Sequence, residues 1–464
     1  PMTQMHGVQQ EAPRLLGMMP LGRPEQRDAI LARLRGLPEL IEQTIALLQR
    51  GLKDGVTPPG VCLNDVPGQI AAQVTNEPTD SPILSFLHGQ SMAVPEAFRE
   101  DAVSIYWERV APAFEQLRDF AEKDYLPGCR KSGGWSELPD GRDWYRFAVR
   151  RETTTDMTPD EIFDLGMSEV KRIRAAMDEI ISETGFSGDF DAFCEFLRTD
   201  PQFFFERAED LVTAYRDIAK RADPELVKLF GTLPRLPYGV VRIPAYSEKS
   251  QTTAYYQPGS RMRPGYYFVN TYDLKSRPTW EMEALSLHEA VPGHHLQIAL
   301  MQELDGLPEF RRQGWITAYG EGWALYAESL GSDMGFYTDP YSRFGQLTYE
   351  MWRAIRLVVD PAMHWKGWSR DEAIGFFRDN SSKSLHDIGV EIDRYLVWPG
   401  QALAYKVGEL RIKEMRRQAE ERLGDAFDVR GFHDELLGAG CLPLDLLAVR
   451  MQEWTRRQAE RVGA

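Results

Sequence analysis

Three of the chain's eight histidines and one carboxylate stand within eight residues of each other, in the segment 285–299, LSLHEAVPGHHLQIA. Zinc chemistry needs neutral imidazoles or carboxylates about 2.0–2.2 Å from the ion, and a carboxylate beside the water to take its proton. His288, Glu289, His294 and His295 supply those groups. The common helical zinc site is H-E-x-x-H, whose histidines lie four apart on one face. Here they are six and seven apart. On an undistorted helix His294 would sit about 240° around from His288, and His295 would return to the same face about 10.5 Å further along. Pro292 removes that difficulty, because an interior proline lacks an N–H and clashes with the carbonyl four residues back, which is His288's own. Together with Gly293 it predicts a kink or a π-type wide turn that brings His294 back beside His288. The alternative is that His288 caps a helix while His294 and His295 lie at the surface.

Such a site needs a further ligand, and catalytic zinc commonly takes a carboxylate. The stretch YGEGWALYAE, 319–328, offers Glu321 and Glu328, seven apart and so on one face of a helix. Gly320, Gly322, Ala324 and Ala327 would let that helix approach a neighbour closely. The alternative is an amphipathic helix with two solvated glutamates; the apolar residues around them argue for burial, where a charge must be paired or bind metal.

HEAVPGHHLQ, GEGWALYAE and PGQALAYKVGELRI, taken in that order, resemble the bacterial family of unknown function DUF885, related in pattern to gluzincin-type zinc peptidases. The resemblance runs across nearly the whole chain, from PMTQMHGVQQ through LARLRGLPELIEQTIALLQRGLKDG. It implies a zinc ion held by His288, His294 and Glu321, with His295 as the alternate second ligand. It further implies that Glu289 is the general base and that Glu328 orients a ligand histidine or serves as the alternate carboxylate.

PGQALAYKVGELRI, 399–412, resembles the late tyrosine-bearing helix of helical zinc peptidases, which implies that Tyr405 donates to the oxyanion of the tetrahedral intermediate. Donors preorganised where charge develops are typically worth about 2.7–4 kcal/mol; the alternative is a core tyrosine with a satisfied hydroxyl. Arg394, Tyr395 and Arg411 flank this motif and are candidates for binding a substrate carboxylate, an arginine doing so through its bidentate fork. In such enzymes a peptide pairs its backbone with a sheet edge beside the metal helix. The run 238–274, with GVVRIPAY, TTAYYQPG, a turn at 259–261 and GYYFVNTYDL, is the clearly β-like part of the chain and lies just before the metal helix. Tyr255 and Tyr256 on its middle segment are therefore substrate-binding candidates.

The rest of the chain reads as helix. Segments 25–49, 97–124, 159–184, 191–198, 202–221, 343–360, 370–379 and 403–423 carry apolar residues at helical spacing. Thr158-Pro159-Asp160-Glu161 and Ser369-Arg370-Asp371-Glu372 are helix starts with caps, and 55–68 and 127–141 are the Gly- and Pro-rich loop candidates. The fold expected is mainly α: a two-lobed helical, zinc-peptidase-like body, with a helical lobe over 1–225 and a catalytic lobe over 226–464 that carries a small β-sheet beside the metal helix.

Composition narrows the partners. A formal net charge of −16 opposes a nucleic-acid surface, a hydrophobic fraction of 43% supports a large core, and no apolar run of about 18 residues predicts a membrane span. The four cysteines are far apart with no C-x-x-C, which favours a reducing, cytoplasmic compartment and opposes a cysteine zinc site; export is the alternative if a leader is missing from this chain. The activity expected is zinc-dependent hydrolysis of a small peptide or other amide. Two alternatives stand beside it: hydrolysis of an ester, lactone or small amide, or a lyase step, in the same metal site; and a non-catalytic metal-binding or binding module.

Overall fold

A computed structural model describes residues 2–88, 94–131, 133–245, 248, 251–260 and 262–463. The fold is mainly α, with one small three-stranded sheet. The start predicted at Thr158 is a capping box: Glu161 N–H donates to the Thr158 hydroxyl oxygen and the Glu161 carboxylate accepts Thr158 N–H. The segment 97–124 is helical from Glu96–Ile105 to Ala111–Phe120, but its turns Tyr106–Val110 and Ala121–Tyr125 are π-helical. Among the described residues, no helix is long and apolar enough to cross a membrane.

The chain divides into two compact units. The first comprises Pro1–Trp144, Met363–Ala373 and Gly389–Trp398. In it α1 (Pro24–Asp54) packs on α2 (Ala111–Phe120), burying Ile30, Leu34 and Ile41 with Phe114 and Leu117. Its two later segments are joined by a two-pronged ion pair from Arg370 to Asp393, at 2.6 and 3.0 Å.

The second unit comprises Tyr145–Ala362, Ile374–Ile388 and Pro399–Ala464. The boundary expected at 225 is thus not where the units divide. Helix α3 (Pro159–Thr184) belongs with the later chain because it lies along α7 (Pro340–Pro361), and Gly166 lets the two approach: a Cβ there would meet Leu357 Cβ at 2.7 Å. Between α3 and α7 in sequence come α4 (Met282–Glu289), α5 (His294–Glu303) and α6 (Thr317–Ser329). Helix α6 packs on α8 (Ala404–Leu423) through two glycines, since a Cβ on Gly322 would stand 2.5 Å from Gly408 Cα. This is the close approach predicted from the small residues of α6.

Helices α3, α7 and α8 meet over a buried ionic group. Lys406, fully buried, reaches Glu350 at 2.7 Å, Glu409 at 2.5 Å and Glu169 at 3.2 Å, while Arg172 also reaches Glu350 at 2.5 Å. With Lys413 on Glu409 as well, three cations face three carboxylates, the compensation that burial requires.

The sheet has the order β1 (Tyr238–Arg242), β3 (Gly265–Val269), β2 (Ala254–Gln257). Strand β1 runs parallel to β3, and β2 antiparallel to it with Tyr256 opposite Tyr267, leaving β2 as an edge. Of the turn predicted at 259–261, Arg261 lies outside the described residues; Ser260 bridges to Arg263 just beside it.

Candidate metal centre

Helix α4 stops where the sequence says it must. Ala290 N–H makes its last bond, to Ser286 O, and Val291-Pro292-Gly293 turn before α5 begins at His294. His295 N–H donates to Ala290 O at 3.1 Å, five residues back, which is the wide, π-type closure predicted from Pro292 and Gly293. Gly293 fits because nothing larger would: a Cβ there would lie 1.9 Å from His288 O and 2.4 Å from Leu287 O. The turn is fastened to α6 by Trp323, whose indole N–H donates to Pro292 O at 2.9 Å. As a result the His288 and His294 rings stand 4.8 Å apart, nearly perpendicular.

Glu321 on α6 faces both rings. Its Oε2 is 3.4 Å from His294 Nε2 and 3.6 Å from His288 Nε2, and donor atoms of the three residues all lie within 4.8 Å of one another. Two ligands of a tetrahedral zinc with bonds of about 2.0–2.1 Å are themselves about 3.3 Å apart, so the 3.4 and 3.6 Å separations of Glu321 from the two imidazoles suit a shared ion. Seven residues on, Glu328 Oε1 takes His288 Nδ1 at 2.7 Å, the carboxylate–histidine arrangement that fixes a ligand's tautomer and orientation. Arg353 Nη2 lies 3.9 Å from the same oxygen.

The electrostatics are those of a site that wants a cation. His288, His294 and Glu328 are buried, and the Glu321 side chain is 16% exposed. Burial works to depress the His288 pKa, but bonds to Glu321 and Glu328 overcome it and lift it to about 9. Burial likewise acts to raise Glu321, and the His294 charge with the two imidazole contacts holds it well below the usual carboxylate range. Burial pushes Glu289 up, against the pull of both imidazoles. Glu289, Glu321 and Glu328 thus gather around a pair of buried imidazoles, and carboxylates drawn into such surroundings demand compensation. A divalent ion would supply it, so the residues present fit one.

Glu289, beside His288 in sequence, is held from the sheet: Tyr256 N–H on the edge strand β2 donates to Glu289 Oε2 at 2.9 Å. The Tyr256 hydroxyl meets His295 Nδ1, also at 2.9 Å, and the His295 ring packs 4.4 Å from that of Tyr238. Burial lowers the His295 pKa to about 4, leaving a neutral ring that ties β2 to α5. His295 therefore sits with the sheet, and His294 with His288 and Glu321.

The other candidates scatter. Tyr255 stacks on Phe268 at 5.0 Å, its side chain on the opposite face of β2 from that of Tyr256. Tyr405, at the start of α8, lies against the guanidinium groups of Arg356 at 4.6 Å and Arg353 at 6.0 Å. Arg394 and Tyr395 belong to the first unit, where both bind Glu391, at 3.0 and 2.6 Å. Arg411 is half-buried on α8, and its charge acts on Glu414. Two residues near the cluster were not singled out from the sequence: Arg353, whose signal was an arginine among the apolar positions of α7, and Trp315, an aromatic in the short stretch before α6, 5.8 Å ring to ring from His294.

Fold and site together define a mainly helical protein with a buried His–His–Glu cluster, a neighbouring glutamate and a small sheet against it. The chain belongs to the DUF885 family, described as bacterial protein of unknown function, which it matches over residues 1–451. No curated protein matches it. Among solved structures it is similar to a candidate lipoprotein from Colwellia psychrerythraea, with TM-score 0.92 and 28% identity, covering 98% of this chain and 80% of that one. A candidate lipoprotein of unknown function from Shewanella oneidensis shares the fold, with TM-score 0.70 and 17% identity over 97% of this chain and 82% of that one.

Proposed function

We propose that the protein is a zinc-dependent hydrolase of peptide or other amide bonds. The observation that carries this reading is the meeting of His288, His294 and Glu321 donor atoms within 4.8 Å, with Glu289 the next residue to a ligand. His288, His294 and Glu321 would hold the ion; when bound, it supplies Lewis acidity at the carbonyl and makes a water acidic enough to react near neutral pH. Glu289 takes a proton from the attacking water as the carbon–oxygen bond forms, and returns it to the nitrogen as the carbon–nitrogen bond breaks. Glu328 holds His288 by Nδ1 and so keeps Nε2 turned to the site. The edge of β2 lies beside Glu289, and an extended peptide adds to such an edge through its main chain.

The test is amine release from a panel of dipeptides, tripeptides and matched esters by zinc-loaded protein. Cleavage of amides by the wild type, abolished by Glu289→Gln and by chelation and restored by zinc, supports the reading. A zinc-loaded protein that cleaves the esters alone, or nothing, contradicts it.

The description of both similar structures as candidate lipoproteins supports a place outside the cytoplasm. Fractionation of the native cells tests this: recovery of the chain with the cytoplasm contradicts it.

A further inference from the structure

Trp315 stands out among the chain's large apolar residues because it is 46% exposed while in ring contact with a proposed metal ligand. Its indole lies 5.8 Å from the His294 ring, tilted by 55°. One side of it rests on α6 at Gly320, the residue before Glu321, where a Cβ would lie 2.2 Å from the ring carbons Cη2 and Cζ2. A residue with any side chain at 320 would push the indole off the helix. The glycine therefore lets the ring lie against α6 and beside His294.

The backbone that carries Trp315 is fixed, not merely draped. Ile316 N–H donates to Cys441 Sγ at 3.2 Å, Cys441 N–H to Arg311 O at 3.0 Å, and Arg311 Nη2 to Ala439 O. An aromatic held in place before the ligand arrives loses little freedom on binding, which is how rigid aromatic contacts gain affinity. Burial of its remaining exposed face would be favourable, and aromatic rings prefer offset or edge-on neighbours.

We infer that Trp315 is a specificity-determining residue, and that the substrates of the proposed hydrolase carry an aromatic or large apolar group next to the reacting carbonyl. This rests on the metal-site reading above. The group packs on the indole while the carbonyl sits at the His288–His294–Glu321 cluster. Small or charged neighbours to the carbonyl leave the indole uncovered and bind less well.

The experiment uses two metal-binding probes that differ only in that group, L-phenylalanine hydroxamate and glycine hydroxamate, titrated calorimetrically into zinc-loaded full-length protein. The wild type is expected to bind the phenylalanine probe about tenfold more tightly, the size of a well-packed aromatic contact. In zinc-loaded Trp315→Ala that advantage falls to about twofold or less; Trp315→Phe keeps most of it. Equal binding of the two probes by wild type, or an advantage that survives in Trp315→Ala, overturns the inference and leaves the metal site standing. A protein that takes up no zinc removes the site itself, and the inference with it.

Discussion

Glu328 Oε1 lies 2.7 Å from His288 Nδ1, at the bottom of the buried cluster and 3.9 Å from the Arg353 guanidinium. That contact commits one ring nitrogen of His288 to the protein and leaves Nε2 for the site. Removing such a partner typically costs about 10–100-fold in metal affinity. Glu328→Ala is therefore expected to keep the fold and to weaken zinc binding by about that factor, read by competition with a chromogenic chelator. Wild-type affinity in this variant would refute the orienting role.

Glu289→Gln separates metal binding from chemistry. The amide can still accept Tyr256 N–H but cannot take a proton, so zinc content should remain near wild type. Turnover should fall by about 10²–10⁴, the usual contribution of general acid–base catalysis. Turnover within about twofold of wild type would remove Glu289 from the mechanism.

Gly322→Ala tests the packing that positions Glu321. The added methyl would stand 2.5 Å from Gly408 Cα and 2.6 Å from its carbonyl carbon, and backbone cannot step aside as a flexible side chain does. Overpacking of this kind costs about 1–3 kcal/mol or more. Thermal unfolding should move down and zinc affinity with it, because α6 and Glu321 must shift together. An unchanged midpoint would contradict the close approach of α6 and α8.

The helices were largely legible from apolar spacing and caps, and the HEAVPGHH turn was legible because Pro292 and Gly293 each leave the backbone few choices. That same turn explains why His294, and not its neighbour, faces His288. The unit boundary was not legible. Segments Met363–Ala373 and Gly389–Trp398 join the first unit by contacts hundreds of residues apart in sequence, such as Gln4 Nε2 to Asp393 O at 3.0 Å. Arg394 and Tyr395 were singled out as sequence neighbours of the tyrosine motif, yet the chain crosses from one unit to the other between Trp398 and Pro399. Trp315 is not legible in the sequence, because an aromatic outside regular structure carries no periodic signal.

The ionic group around Lys406 should make stability fall in acid. Burial would raise Glu350, but Lys406 and neighbouring cations hold it well below the usual carboxylate range. A depressed carboxylate stabilises above its unfolded value of about 4.3 and loses that contribution as pH falls through and below it. Burial would lower Lys406, and Glu409 and Glu350 raise it instead, so its share is present below its unfolded value of about 10.4 and is lost only as pH rises beyond that. Lys406→Ala leaves Glu169, Glu350 and Glu409 to share Arg172 and Lys413, one positive charge short, and should cost about 3–5 kcal/mol at pH 7. The loss should shrink near pH 3.5, because Glu350 without Lys406 takes up a proton at a higher pH than it does in wild type. Urea unfolding midpoints of both proteins at the two pH values check this, and a penalty that does not shrink in acid would contradict it.

The most direct measurement is the zinc content, by elemental analysis, of protein purified without chelator, for wild type and for His288→Ala, His294→Ala, His295→Ala and Glu321→Ala. The geometry predicts nearly one zinc per chain in wild type, loss in the His288, His294 and Glu321 variants, and retention in His295→Ala, whose ring is occupied with Tyr256. Wild type that stays empty after zinc is supplied, or zinc that survives loss of His294 and Glu321, would contradict the metal centre and the hydrolase built on it.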